Sequence, residues 1–204
     1  MSKIYDIWID RIYRRYYQFL KLYWSFHVKL KFRLLRIEYG KKCEFFGNMI
    51  LKKIPGSYIR IGDHCQFRSA VWSNYIGLNH PCIIATLSSN AKVVIGDYCG
   101  FSGTVIAAQE YIEIGDGTMC GANVTITDTD WHPINFLDRR NGKKAASAPI
   151  IIGSNVWLGL NVIVLKGVRI GDNAVIGSGS IVTSDIPPNV IAAGWPAKVI
   201  KKIK

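Results

Sequence analysis

The sequence predicts a mainly β protein: a parallel coil built from six-residue repeats, preceded by a helical appendage and interrupted by one protruding loop. Three observations carry this. From residue 152 the chain reads IGSNVW, LGLNVI, VLKGVR, IGDNAV, IGSGSI, with an aliphatic residue leading each hexad and Gly second in four of the five. Residues 1–39 contain neither Gly nor Pro and place apolar side chains at helical spacing. The hexad register then breaks after Ile126 and resumes at Ile152.

The N-terminal element comes first. Residues 1–40 hold nine Lys or Arg against three Asp or Glu, so half of the net charge of +12 sits there. Apolar residues recur at Ile4, Trp8, Ile12, Tyr16, Phe19 and Tyr23, which reads as one long or two short helices. Such a segment packs on the rest of the protein or on a neighbouring subunit, or lies at a membrane face, aromatics at the acyl boundary and basic groups at anionic headgroups. Nucleic acid is set aside as a partner, because no binding motif accompanies the charge. No run of 18 apolar residues appears, and charges interrupt the first 30 positions, so neither a membrane span nor a signal peptide is expected. The expected location is cytoplasmic, with a peripheral membrane contact through residues 1–40. Five cysteines without a CxxC pair fit a reducing compartment.

Residues 41–58 read as a connector, and residues 59–204 as the repeat domain. The pattern begins with IGDHCQ at Ile61 and IGDYCG at Ile95, then FSGTVI, IGDGTM and CGANVT. A helix cannot show a six-residue period on one face, whereas short strands separated by Gly, Asn and Asp turns can. The leading aliphatic points inward and the fifth residue is small or β-branched; Cys65 and Cys99 take that fifth place and Cys120 a leading one, so these read as core. Stacked repeats bury a core that no single repeat can.

The loop 127–149 carries the chemistry. Long irregular insertions in compact repeats are usually functional. Of four histidines, His27, His64 and His80 read as structural, while His132 follows Asp128, Asp130 and Trp131 and precedes Pro133. Histidine suits proton transfer near neutral pH, which a poorly nucleophilic hydroxyl acceptor requires. Neither a G-x-S-x-G elbow nor a catalytic-cysteine context is present, which favours direct transfer over a covalent intermediate.

The hexads, the Asn123-Val124-Thr125 stretch ahead of His132-Pro133, and the closing segment TSDIPPNVIAAGWPAKVIKKIK resemble the hexapeptide-repeat acyltransferases, in the maltose/galactoside O-acetyltransferase-like group, over residues ~59–203. The resemblance implies a left-handed coil with three hexads per turn, the hand opposite to the general crossover rule. It implies acetyl-CoA as co-substrate, no permanently bound cofactor and no metal. It makes His132 the general base, oriented by Asp130, Asp128 or a backbone carbonyl, with an oxyanion donor near Gly159–Leu160. Coenzyme contacts would fall on Trp157, Gly159, Leu160, Ser178, Thr183, Lys198 and Lys201, within a basic tail that includes Lys202 and Lys204. Acceptor contacts would fall on Ser102, Gln109, Asn123, Trp131 and Arg139. The group carries Ser where Leu160 stands and Lys where Ser184 stands. Gly103 and Gln109 occupy the stretch where it grips its sugar, which points to an acceptor other than maltose or galactoside. The expected reaction is acetyl transfer to a sugar hydroxyl of a surface polysaccharide or its precursor, in a homotrimer with sites between subunits. The alternatives are another acceptor (serine, an amino sugar, an antibiotic), a zinc hydratase on the same coil, or a structural array; the zinc reading needs three converging His ligands, and the four His lie at unrelated spacings.

Overall fold

The computed structural model describes residues 2–203, without the side chains of residues 2–6. The side chain of Ile4 and the tail residue Lys204 lie outside the described residues. A single helix, α1 (Ser2–Leu34), is followed by six coils of three short strands. Coil one holds β1 (Glu38–Tyr39), β2 (Glu44–Phe46) and β3 (Ile50–Lys52); coil two holds β4 (Tyr58–Ile61), β5 (Gln66–Arg68) and β6 (Ile83–Thr86). Coil three holds β7 (Lys92–Ile95), β8 (Gly100–Ser102) and β9 (Val105–Ala108); coil four holds β10 (Tyr111–Ile114), β11 (Met119–Ala122) and β12 (Thr125–Thr127). Then follow the insertion with its short helix α2 (Phe136–Arg140), coil five with β13 (Ile150–Ile152), β14 (Trp157–Leu158) and β15 (Ile163–Val164), and coil six with β16 (Arg169–Ile170), β17 (Val175–Ile176) and β18 (Ile181–Val182). The chain closes with an antiparallel hairpin of β19 (Val190–Gly194) and β20 (Ala197–Lys202).

Strands of the same rank stack in parallel into three sheets, so the body is a triangular prism. Sheet I contains β1 and its successors, sheet II those of β2, sheet III those of β3. The edges between them are called I–II, II–III and III–I.

The hexad is explained at the I–II edge. Ile61, Ile95, Ile114, Ile152 and Ile170 are buried inside the prism. The following residue must be Gly: a Cβ on Gly62 would stand 2.3 Å from Asp97 Oδ1 and 2.5 Å from the Gly96 carbonyl carbon. The Asp joins one coil to the next, since Asp97 Oδ1 accepts the Asp63 N–H at 2.7 Å and Asp116 Oδ1 accepts that of Asp97 at 2.8 Å. The fourth residue turns the corner with a left-handed backbone, at φ 57° in His64, 58° in Tyr98 and 55° in Asn155. The fifth enters the core, and Cys65, Cys99, Val156 and Ala174 are buried there, as is Cys120 from its leading place.

Two boundaries differ from expectation. The segment 41–58 is no connector, because coil one already begins at Glu38. Cys43 Sγ lies 3.2 Å from the Gly62 carbonyl, and the rings of Phe45, Phe67 and Phe101 stack at 5.4 and 4.8 Å between centroids. Around Gly40, Tyr39 and Lys41 stand where the later hexads carry Ile and Asp, and this hides the hexad. A second insertion, residues 69–82, leaves the II–III edge between β5 and β6 and contains one turn of 3-10 helix, Val71–Ser73.

α1 lies across the open end of coil one. Val28 and Phe32 are fully buried, with Phe32 edge-on to Phe45 at 5.3 Å, and Tyr17 stacks on Trp72 at 5.3 Å. Trp8, Ile12, Tyr16, Phe19, Tyr23, Phe26, Leu30 and Leu34 are all exposed, between 44% and 75%. His27 is structural, its Nδ1 2.8 Å from the Tyr23 carbonyl, and His64 stacks on Tyr98 at 4.7 Å.

Candidate active site

The insertion leaves the III–I edge on an antiparallel stem. The Ala148 N–H donates to the Asp128 carbonyl at 3.0 Å, Thr129 bridges Ser147, and the Asp130 N–H donates to Ala146 at 3.0 Å. Asn135 caps α2 at the tip, its side chain accepting from the Leu137 and Asp138 amides. Between stem and tip, Trp131 takes a left-handed φ of 64° and donates Nε1–H to Thr127 Oγ1 at 3.0 Å. His132 comes next, exposed, its backbone N–H 2.7 Å from the Asp130 carbonyl. Arg139 donates to the Pro133 carbonyl at 2.8 Å, so it braces the loop's own turn rather than reaching outward.

The two candidate orienting acids differ. Asp128 is fully buried, and its carboxylate accepts three backbone amides: Gln109 at 2.6 Å, Glu110 at 2.8 Å and Tyr111 at 2.8 Å. Burial pushes this carboxyl above its usual range, and the three amides pull it back. It ties the insertion's root to the III–I edge and has no bond to His132, which corrects its expected role. Asp130 is ion-paired with Lys166, at 2.6 Å, and its Oδ2 is buried without a partner among the described residues.

The remaining candidates fall into separate places. Gln109 and Thr183 share the III–I edge with the insertion. Ser102, Asn123, Gly159, Leu160 and Ser178 lie at the II–III edge, on the other side of sheet III. Trp157 is exposed on the outer surface of sheet II, while Lys198 and Lys201 are exposed on β20. Asn123 is engaged by the second insertion, its Oδ1 accepting the Asn79 N–H at 2.8 Å. Of the two amides considered for an oxyanion, that of Gly159 is bonded to the Ile176 carbonyl at 2.8 Å, and that of Leu160 has no acceptor among the described residues.

Three features escaped the sequence reading. Lys166 hid inside a hexad, VLKGVR, whose third position gave no chemical signal. Trp195 donates to the Gly179 carbonyl and overhangs the II–III edge beside Ser178; its signal was the Gly-Trp-Pro turn between two strands. The segment 69–82 was marked only by turn formers, Asn74, Gly77, Asn79 and Pro81. Among the described residues no three His, Cys, Asp or Glu side chains gather as a metal set.

A family profile described as "Hexapeptide repeat of succinyl-transferase" matches residues 149–184. Over 124 residues the chain is 45% identical to a galactoside O-acetyltransferase of Escherichia coli (strain K12), covering 60% of this chain and 59% of that protein. It is 40% identical over 154 residues to a galactoside O-acetyltransferase of Lactococcus lactis subsp. lactis (strain IL1403), covering 76% of this chain and 66% of that one. The chain thus spans less than two thirds of the length of these relatives. A solved galactoside acetyltransferase in complex with coenzyme A matches with a TM-score of 0.56 and 36% identity, over 71% of this chain and 64% of that chain. The prism is a left-handed parallel β-helix of the hexapeptide-repeat class.

Proposed function

We propose that the chain, which is similar to the galactoside O-acetyltransferases over its hexapeptide repeats, transfers an acetyl group from acetyl-CoA to a sugar hydroxyl. The acceptor in this reading is a sugar of a surface polysaccharide or its precursor, because Gly103 and Gln109 replace the residues with which the resembled group grips its own sugars.

The observation that carries the reading is the separation of His132 from the Leu160 amide by the width of sheet III. The III–I edge offers His132 as the base, and the II–III edge offers the Leu160 amide as the oxyanion donor. The outer surface of sheet III presents Ile83, Val105, Thr125, Ile163 and Ile181 in register, all half-buried in the single chain. The corresponding positions of sheet I include Arg60, Glu113 and Arg169. An apolar sheet surface of this kind favours self-association. Three copies with sheet III toward a common axis bring the III–I edge of each against the II–III edge of the next. His132 of one copy then faces Gly159, Leu160 and Ser178 of its neighbour, with Trp157 and the lysines of β20 along the path of a long anionic coenzyme.

In that arrangement the His132 imidazole takes the hydroxyl proton as the sugar oxygen attacks the thioester carbonyl carbon. The Leu160 N–H meets the oxyanion that forms. Collapse breaks the C–S bond, and the thiolate of coenzyme A leaves with the proton held on His132. No covalent acyl-enzyme is needed.

The test is release of free coenzyme A thiol from acetyl-CoA in the presence of nucleotide-linked and lipid-linked sugars. His132→Ala should lower the acceptor-dependent rate about 10²–10⁴-fold, and its exposed ring predicts an unchanged melting temperature. Acceptor-dependent thiol release that survives the substitution overturns the assignment.

A further inference from the structure

The exposed stripe of α1 has an orientation that the fold alone does not require. At about 100° per residue, the positions from Trp8 to Leu34 that form it fall within an arc of roughly 80°. The arc lies on the side of the helix opposite to the buried Val28 and Phe32. The stripe is continuous for about 39 Å at about 1.5 Å per residue, and nothing in the described chain covers it.

We propose that this stripe docks on an anionic lipid surface, with α1 lying in the plane of the interface. Three observations favour that occupant over a second copy of the helix. Five of the eight stripe residues are aromatic, whereas a paired helix seam draws on branched aliphatics. Along one flank of the stripe, the same geometry places Arg11, Arg15, Lys29 and Arg33, long basic side chains beside an apolar surface. A flank of one sign repels its own copy and complements phosphate-bearing headgroups. Between residues 7 and 34 the sole acid is Asp10, which is paired with Arg14 at 2.7 Å and lies away from the stripe. No described helix is long and apolar enough to cross a membrane, so the helix lies on the surface rather than through it. Docking by α1 leaves the III–I and II–III edges free, and the inference does not depend on the acyl-transfer reading.

The full chain is mixed with vesicles of phosphatidylcholine alone, or with about a third phosphatidylglycerol, and pelleted. Binding is expected to the anionic vesicles and to weaken in high salt. Arg11→Gln with Arg15→Gln should weaken the partition about fivefold per charge removed, and Phe19→Ser with Phe26→Ser should abolish it. All four positions are exposed, so the folded coil and its melting temperature should be unchanged. Equal binding to neutral and anionic vesicles, or no binding to either, overturns the proposal. So does a lower oligomer mass in the Phe19→Ser/Phe26→Ser variant by analytical ultracentrifugation, with lipid binding unaltered, which would assign the stripe to a second copy.

Discussion

Lys166 Nζ lies 2.6 Å from Asp130 Oδ1 and so fastens the corner after β15 to the stem that carries His132. Both side chains are about three-quarters or two-thirds covered, at 25% exposure for Asp130 and 32% for Lys166. Pairs of this kind lie between exposed ones, worth about 0–1 kcal/mol, and buried ones, whose disruption costs about 3–5 kcal/mol. Lys166→Met should destabilise the protein by about 1–2 kcal/mol and lower kcat more than it raises KM for acetyl-CoA, because the stem and not the coenzyme path is loosened. Asp130→Asn combined with Lys166→Met should recover most of the stability loss, and a double-mutant cycle by urea unfolding measures this. Additive losses would mean that the pair is not coupled.

A site shared between copies has a signature that no single-chain site has. Ser178 is exposed at the II–III edge, so Ser178→Trp should obstruct the coenzyme path without disturbing the core. His132→Ala and Ser178→Trp should each be inactive alone. Mixed by unfolding and refolding together in equal amounts, they should recover about a quarter of the wild-type sites, since each intact site needs one undamaged edge from each variant. No recovery in a mixed assembly would place both edges of a site on one chain.

The corner glycines test the stacking of coils. Gly62→Ala puts a Cβ within 2.5 Å of backbone in the coil above, at the Gly96 carbonyl carbon, and backbone cannot swing aside as a side-chain end can. Overpacking of this order costs about 1–3 kcal/mol. Gly142→Ala has nothing within 4 Å to meet but takes a backbone φ of 68°, so any loss there is conformational and local to the insertion. Comparing the two by thermal unfolding separates collision from backbone strain.

The thiols report on the same core. Cys43, Cys65, Cys82, Cys99 and Cys120 are all buried and free. Desolvation pushes the Cys82 and Cys120 thiols up, so little thiolate is present at pH 8. None of the five should react with a thiol reagent in the folded protein within minutes, and all five should react in denaturant. A thiol that reacts quickly in the native state would mark a coil that opens locally.

How much of this was legible in the sequence follows from what each residue answers to. Ile61, Gly62 and Asp63 answer to a corner geometry that recurs every six residues within a coil, so their roles show as a period. His132 stands out because the period stops around it. Coil one was concealed because Tyr39 and Lys41, flanking Gly40, keep the geometry while discarding the Ile and Asp of the signature. Asp128 was given the wrong partner because its three amides lie 17 to 19 residues upstream, brought near only by the stacking. Lys166 and Trp195 meet the site from later coils, and neither Lys in a variable position nor Trp in a turn announces a contact made so far along the chain.

The hairpin of β19 and β20 has a consequence for the molecule as a solid. A parallel β-helix is, in principle, a rod without a natural length: each coil offers its successor a complete set of unpaired amides and carbonyls. Here one terminus of the rod is blocked by Val28 and Phe32 of α1, and the other by β20, which runs antiparallel to β19 and closes the last coil of sheet II. The six coils are therefore a finite length cut from a potentially endless filament. Removing either stopper would leave strands free to recruit other chains, so the two ends guard solubility as much as they shape the fold.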